Sequence, residues 1–252
     1  MAVSDIEKAK QFLRGAARGD PDLVTQQVDP DTYVDHDPNR VTNALGLWKH
    51  VDSMAKNSVA YQLLRILHDG PFVVIQHRGS VPGRRIVFEV FRFDAGLIVE
   101  HWCFSSTDGP PNKSGHTQFD GPTEPEDASR TEANKSTVED YYDTVHVKGR
   151  HCEARRWFQG NLMIRHEPGV ADGVDEFLRD LSILARDRTI DEIKILVSQG
   201  DFVFVVARGT FRGEPCAYVE LYRVEAAKIV EHWGFPVSVP AHSTLKSRFG
   251  LL

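Results

Sequence analysis

Glu89 with His101, and again Glu220 with His232, set a carboxylate and an imidazole on the two arms of a candidate hairpin. That pair is a minimal apparatus for moving a proton at neutral pH, since an unperturbed imidazole titrates at about 6.5. The spacing argument starts from Asp94-Ala95-Gly96, a short turn between two strand-like runs. With the tip at Gly96, residues whose numbers sum to about 192 face each other. Arg92 then lies opposite Glu100, Phe91 opposite His101, Val90 opposite Trp102 and Glu89 opposite Cys103. Because side chains alternate between faces, Glu89, Phe91, His101 and Cys103 share one face, and Glu220, Tyr222, His232 and Gly234 share its counterpart. A carboxylate and an imidazole placed diagonally on adjacent strands lie about 7 Å apart by Cα, close enough to share a proton through a small substrate or a water. Apolar walls mixed with titratable groups have the composition of a ligand pocket. A buried His-Glu hydrogen bond with no further role accounts for the same residues, and a one-residue slip would exchange the faces. The opposite face carries Val90, Arg92, Glu100 and Trp102, with Arg223 opposite Glu231 in the second hairpin, and reads as a structural cross-strand ion pair.

These groups recur because the chain reads as one domain written twice. Ile98-Val99-Glu100-His101-Trp102 returns as Ile229-Val230-Glu231-His232-Trp233, and Gly19, His36 and Pro38 match Gly149, His166 and Pro168 at an offset of 130. After Gly83 and Gly213 the offset becomes 131, so that Glu89, Arg92 and Trp102 match Glu220, Arg223 and Trp233. A single indel over so long a match indicates duplication of a whole domain. The expected boundaries are 1–122 and 123–252, each copy with its own C-terminal tail.

The positioning elements follow the same order in each copy: helices, a strand, a further helix and a run of strands. Residues 4–18 carry Ile6, Ala9, Phe12 and Leu13 at helical spacing behind a Ser4 cap with Glu7 three residues on; 131–147 repeats the pattern. A short helix is expected over 20–28 and another over 42–56, with Leu45, Trp48 and Val51 inward. Strand-like runs cover 63–68, 72–80, 85–93 and 97–105. Helices segregated from a mainly antiparallel sheet make an α+β domain.

Composition sets the outer limits. The chain is 41% hydrophobic and 26% charged with a net charge of -6, an ordinary globular balance without the clustered basic face that phosphate binding needs. No apolar run approaches a membrane span, and residues 1–19 lack the apolar core of a signal peptide, so a cytoplasmic protein is expected, without membrane or nucleic-acid partners. Cys103, Cys152 and Cys216 are an odd count without metal spacing and are read as reduced. No dinucleotide fingerprint, phosphate loop or zinc-ligand spacing appears, and neither cofactor nor metal is expected.

Tyr33-x-x-His36-x-Pro38, Glu89-Val90-Phe91-Arg92 and Glu100-His101-Trp102 resemble the SnoaL-like proteins of the nuclear transport factor 2-like superfamily, in the branch of polyketide cyclases and predicted aldol-condensation enzymes. The resemblance spans nearly all of both copies. It implies two tandem cone-shaped α+β barrels, each with N-terminal helices on a curved sheet around a pocket. Single-copy relatives commonly pair through their sheets, so a monomeric pseudodimer, or a dimer of the chain, is expected, with Trp102 and Trp233 as interface candidates. The Pro- and Gly-rich tails after each closing strand, ending in Phe119 and Phe249, are expected to cross and anchor on the neighbouring domain.

The departures matter as much. Cyclases of this family use an acid on the closing strand, and the related pattern reads Glu-His-Trp-Asp, whereas this chain has Cys103 and Gly234 at the fourth place. Acid–base work would then fall to Glu89, His101, Glu220 and His232. Tyr33, His36, Trp48, His77, Phe91, Cys103, His166 and Tyr222 are the expected pocket lining. Because Ala207, Leu178 and Met163 replace His77, Trp48 and Tyr33, the first copy is the better candidate. Two functions stay open: a cofactor-independent cyclase or isomerase acting on a small apolar or polyketide-like molecule, and a module that binds such a molecule without turnover.

Overall fold

The computed structural model describes residues 3–37, 43–54, 60–79 and 83–239. Pro38, Thr42, Lys56 and the tail 240–252 with Phe249 lie outside them. The chain separates into two compact units, one ending at Thr107 and the other spanning Asp108–Val239.

In the first unit, α1 (Asp5–Arg18) starts where the Ser4 hydroxyl accepts the Glu7 N–H at 3.3 Å and stops at Gly19, whose φ of 63° suits a residue without a side chain. Its Ala9, Phe12 and Leu13 are buried. Asp20 caps α2 (Pro21–Thr25), with proline at its first position. Then follow β1 (Val34–Asp35), α3 (Ala44–Met54), β2 (Tyr61–Asp69), β3 (Phe72–Gly79), β4 (Arg85–Asp94) and β5 (Leu97–Thr107). The sheet order is β1-β5-β4-β3-β2, antiparallel except where β1 runs parallel to β5. All three helices pack on one face of it, where Phe12, Val24, Leu47 and Val51 meet Val73, Ile75, Phe91 and Phe93. On α3 it is Leu47 that turns inward and Leu45 that is 61% exposed, the reverse of the expected facing.

The second unit repeats the order. α4 (Thr131–Tyr141) passes into a π-helical stretch at Tyr142–Val147, and a 3₁₀ turn at His151–Trp157 stands where the first unit has α2. β6 (Ile164–Arg165), α5 (Val174–Leu184), β7 (Arg188–Gln199), β8 (Phe202–Phe211), β9 (Glu214–Glu225) and β10 (Lys228–Ser238) complete it, in the sheet order β6-β10-β9-β8-β7. The wider π turn lets the consecutive Tyr141 and Tyr142 both be fully buried, which the 100° step of an α-helix disfavours. Residues 108–121, which follow the last strand of the first unit, are part of the second. Asn112 Nδ2 donates to the Arg165 carbonyl at 2.6 Å, and Trp233 Nε1 donates to the Asp120 carbonyl at 3.1 Å.

The chain is therefore α+β, with two tandem domains of matching strand order. No helix among the described residues is long and apolar enough to cross a membrane.

Candidate active site

The β4–β5 ladder has the register that the turn dictates. Glu89 pairs with Cys103, Phe91 with His101 and Arg92 with Glu100, around a two-residue turn in which Ala95 and Gly96 both have positive φ. The β9–β10 ladder pairs Glu220 with Gly234, Tyr222 with His232 and Arg223 with Glu231. One face of each hairpin is thus turned toward its helices.

In the first unit that face gathers a chain of titratable groups. Glu89 Oε2 accepts from His101 Nε2 at 2.8 Å, and Glu89 Oε1 accepts from His77 Nε2 at 3.3 Å. Behind His101, Nδ1 lies 3.5 Å from the Tyr33 hydroxyl and 4.0 Å from Asp35 Oδ1. Phe91 stacks on the His101 ring at 4.8 Å, and Phe12 of α1 covers it at 5.0 Å. All of these groups are buried. Burial works to raise the Glu89 carboxyl, but hydrogen bonds from His101 and then His77 overcome it and hold the group well below the usual carboxylate range. An ionised carboxylate only accepts, so both imidazoles present N–H to it. His77 Nδ1 is then left buried with no hydrogen-bond partner among the described residues. Tyr61 meets the His77 ring edge-on at 5.7 Å, and Leu63 lies opposite His77 across the β2–β3 ladder.

The second unit builds a different network from the matching positions. Glu220 accepts the hydroxyls of Tyr142 and Tyr222 and, at 3.0 Å, Arg188 Nη2. The Arg188 guanidinium lies 4.1 Å above the Tyr218 ring. Burial opposes ionisation of Glu220, yet Arg188 and then His232 hold its carboxyl well below its usual range. His232 Nδ1 is 2.7 Å from Glu167 Oε1, and its Nε2 is 3.8 Å from Glu220 Oε2. Burial alone would lower the His232 pKa, but Glu167 and Glu220 push it up to about 9. A side chain at 234 has no room here, since a Cβ on Gly234 would sit 3.1 Å from both Glu220 Cγ and His232 Nε2.

A pH dependence follows from His232. Its folded pKa of about 9 lies above the ordinary 6.5, so the native state holds the extra proton in between. The stabilisation is complete below 6.5 and disappears as pH rises through about 9, while Glu167 and Glu220 stay ionised. The melting temperature is expected to fall over that window, and His232→Gln to flatten the fall. An unchanged slope in His232→Gln would refute the assignment.

Three residues expected in the pocket stand elsewhere. His36 and His166 lie on the opposite face, because it is Asp35 that pairs with His101 in the parallel β1–β5 ladder and the next residue must turn away. His36 Nε2 is 2.8 Å from Glu100 Oε2 and its ring stacks on Trp102 at 4.2 Å; His166 repeats both contacts with Glu231, at 2.8 Å, and Trp233, at 4.4 Å. Arg92 and Arg223 complete these chains through Glu100 and Glu231, as the ion-pair reading expected. Trp48 is half-buried on α3 and donates to Asp22 at 3.1 Å, remote from Glu89. Cys103 stands beside Glu89, Cys216 is buried and Cys152 is exposed.

Asp35, Glu167, Arg188 and Tyr142 were missed. Asp35 was legible from alternation, two residues after Tyr33 and hence on its face. Arg188 and Tyr142 come from elements with no local mark of the site.

No family model and no curated protein sequence matches the chain. Among solved structures, it is similar to an NTF-2 like protein of unknown function from Burkholderia xenovorans, at 18% identity and a TM-score of 0.38, covering 43% of this chain and 88% of that one. It is similar to a candidate polyketide cyclase from Bacillus cereus, at 17% identity and a TM-score of 0.37, covering 40% and 74%. It is also similar to an LEH-like epoxide hydrolase from M. tuberculosis, at 21% identity and a TM-score of 0.36, covering 40% and 82%.

Proposed function

We propose that the first unit is a cofactor-independent acid–base catalyst of cyclase or isomerase type, acting on a small apolar carbonyl compound, and that the second unit is not catalytic. The observation that carries this reading is the state of His77: its Nε2–H is held by Glu89 while its Nδ1 is buried with no partner. A carboxylate that fixes an imidazole's tautomer leaves the other nitrogen as a base, the logic of a nucleophile–His–acid triad without the nucleophile. Glu89 and His101 then serve as the orienting carboxylate and its second anchor. His77 accepts the proton next to the substrate carbonyl and returns it to the rearranged carbon.

Glu220 supports the second half of the reading. Both of its oxygens are occupied by three donors, and His232 sits between two carboxylates. Neither group offers a free lone pair for a substrate proton.

The test uses β-tetralone in deuterated water, with NMR following exchange at its α-carbon. The natural chain is expected to accelerate exchange. Glu89→Gln is expected to abolish the acceleration while β-tetralone still perturbs the protein's NMR spectrum, because the Gln amide can donate to His77 Nε2 and moves the ring proton to Nδ1. Ligand perturbation without accelerated exchange in the natural chain favours the binding module instead.

A further inference from the structure

The geometry points to a divalent-cation site of zinc type in the second unit, formed by His116, Asp120 and His166 on the sheet face opposite Glu220. One donor atom from each residue lies within 4.8 Å of the others. Two imidazoles and one carboxylate, with room for a water, suit zinc-like ions.

The second observation is the orientation of both rings. A metal-bound imidazole usually gives its other N–H to a carboxylate, which fixes ring and tautomer. His166 Nε2 lies 2.8 Å from Glu231 Oε1, and Arg223 Nε donates to the other oxygen of Glu231 at 2.7 Å. His116 Nε2 lies 3.1 Å from Asp172 Oδ2. That leaves Nδ1 of each ring as the donor for an ion. His166 Nδ1 faces the 108–121 segment, 2.7 Å from the Thr117 carbonyl, and this same segment carries His116 and Asp120.

The segment is also shaped in advance. Asn112 Oδ1 accepts the backbone N–H of Ser114 and of His116, at 2.9 and 3.0 Å, and Gly115 between them has a φ of 93°. Asp120 accepts from the Thr117 backbone at 2.7 Å and from its hydroxyl at 2.6 Å, contacts that leave lone pairs on both carboxylate oxygens. Burial would raise the Asp120 carboxyl, but those Thr117 bonds and the neighbouring His166 and His116 lower it, so it is ionised as a ligand must be.

Binding requires little movement. Tetrahedral donors at zinc distances stand about 3.4 Å apart, and the exposed Asp120 and half-buried His116 can close on the fixed His166. The ion takes the Nδ1 lone pair of His166, and the displaced proton goes to solvent.

The test titrates chelator-treated chain with cobalt(II) chloride and reads visible absorption. One saturable equivalent is expected, with ligand-field bands and no thiolate charge-transfer band, and zinc chloride is expected to compete it away. His116→Ala is a surface change that leaves the fold intact, and it is expected to weaken cobalt binding by about 10- to 100-fold or more, at least what loss of an outer-shell partner costs. Glu231→Gln is expected to weaken binding through His166 alone. No saturable spectrum, an unaltered affinity in His116→Ala, or a thiolate band each overturns the site.

Discussion

His77→Gln is expected to slow proton exchange in β-tetralone by about 10²- to 10⁴-fold, the usual contribution of a general base. Glutamine can still donate to Glu89, so the buried carboxylate keeps a partner and the melting temperature should hardly move. What disappears is a group at Nδ1 able to take a proton at neutral pH. The pH–rate profile supplies an independent reading, since its acidic limb should vanish with the imidazole. Full activity in His77→Gln would return the role to His101, whose Nε2 is committed to Glu89 at 2.8 Å. A large loss of stability alongside a loss of activity would instead identify His77 as a packing residue.

The second large effect is thermodynamic. Glu220→Gln is expected to destabilise the chain by about 3–5 kcal/mol, the range for removing one member of a buried ion pair. Arg188, whose side chain is 16% exposed, would be left charged beneath the sheet, and a guanidinium cannot neutralise itself by giving up a proton. Glu89→Gln should cost less, because its partners are imidazoles that can. Urea denaturation of the two variants measures the contrast directly. A loss under about 1 kcal/mol in Glu220→Gln would mean that water reaches Arg188, and the closed character of the second site would be refuted.

Much of this arrangement was legible in the sequence for one physical reason: hairpin register depends only on local turn geometry. Placing the tip at Asp94-Ala95-Gly96 was enough to put Glu89, Phe91 and His101 on one face and Arg92 opposite Glu100. The parallel edge strand has no such local determinant. Its register is set by packing against β5, so His36 and His166 were expected on the pocket face when alternation from Asp35 sends them to the other. Leu45 was misread for a related reason. Only one helical step separates it from positions such as Leu47, and the burial of α3 is decided by the sheet beneath it. The partners of Glu220 were out of reach altogether, because Tyr142 and Arg188 are far from it in sequence and one of them depends on a π turn that no residue type announces.

The bond between the Trp233 indole and the Asp120 carbonyl joins the opening segment of the second unit to its final strand, across 113 residues. Its order of synthesis follows. While the ribosome is still making β7, β8 and β9, residues 108–121 have no indole to close on, and His166 has neither Trp233 to stack on nor Glu231 to bind. The nascent second unit must wait, with an unpaired sheet edge, until β10 emerges. The first unit ends at Thr107 and can complete its own sheet well before that, so it leaves the ribosome as a finished surface while its successor is still collecting its parts.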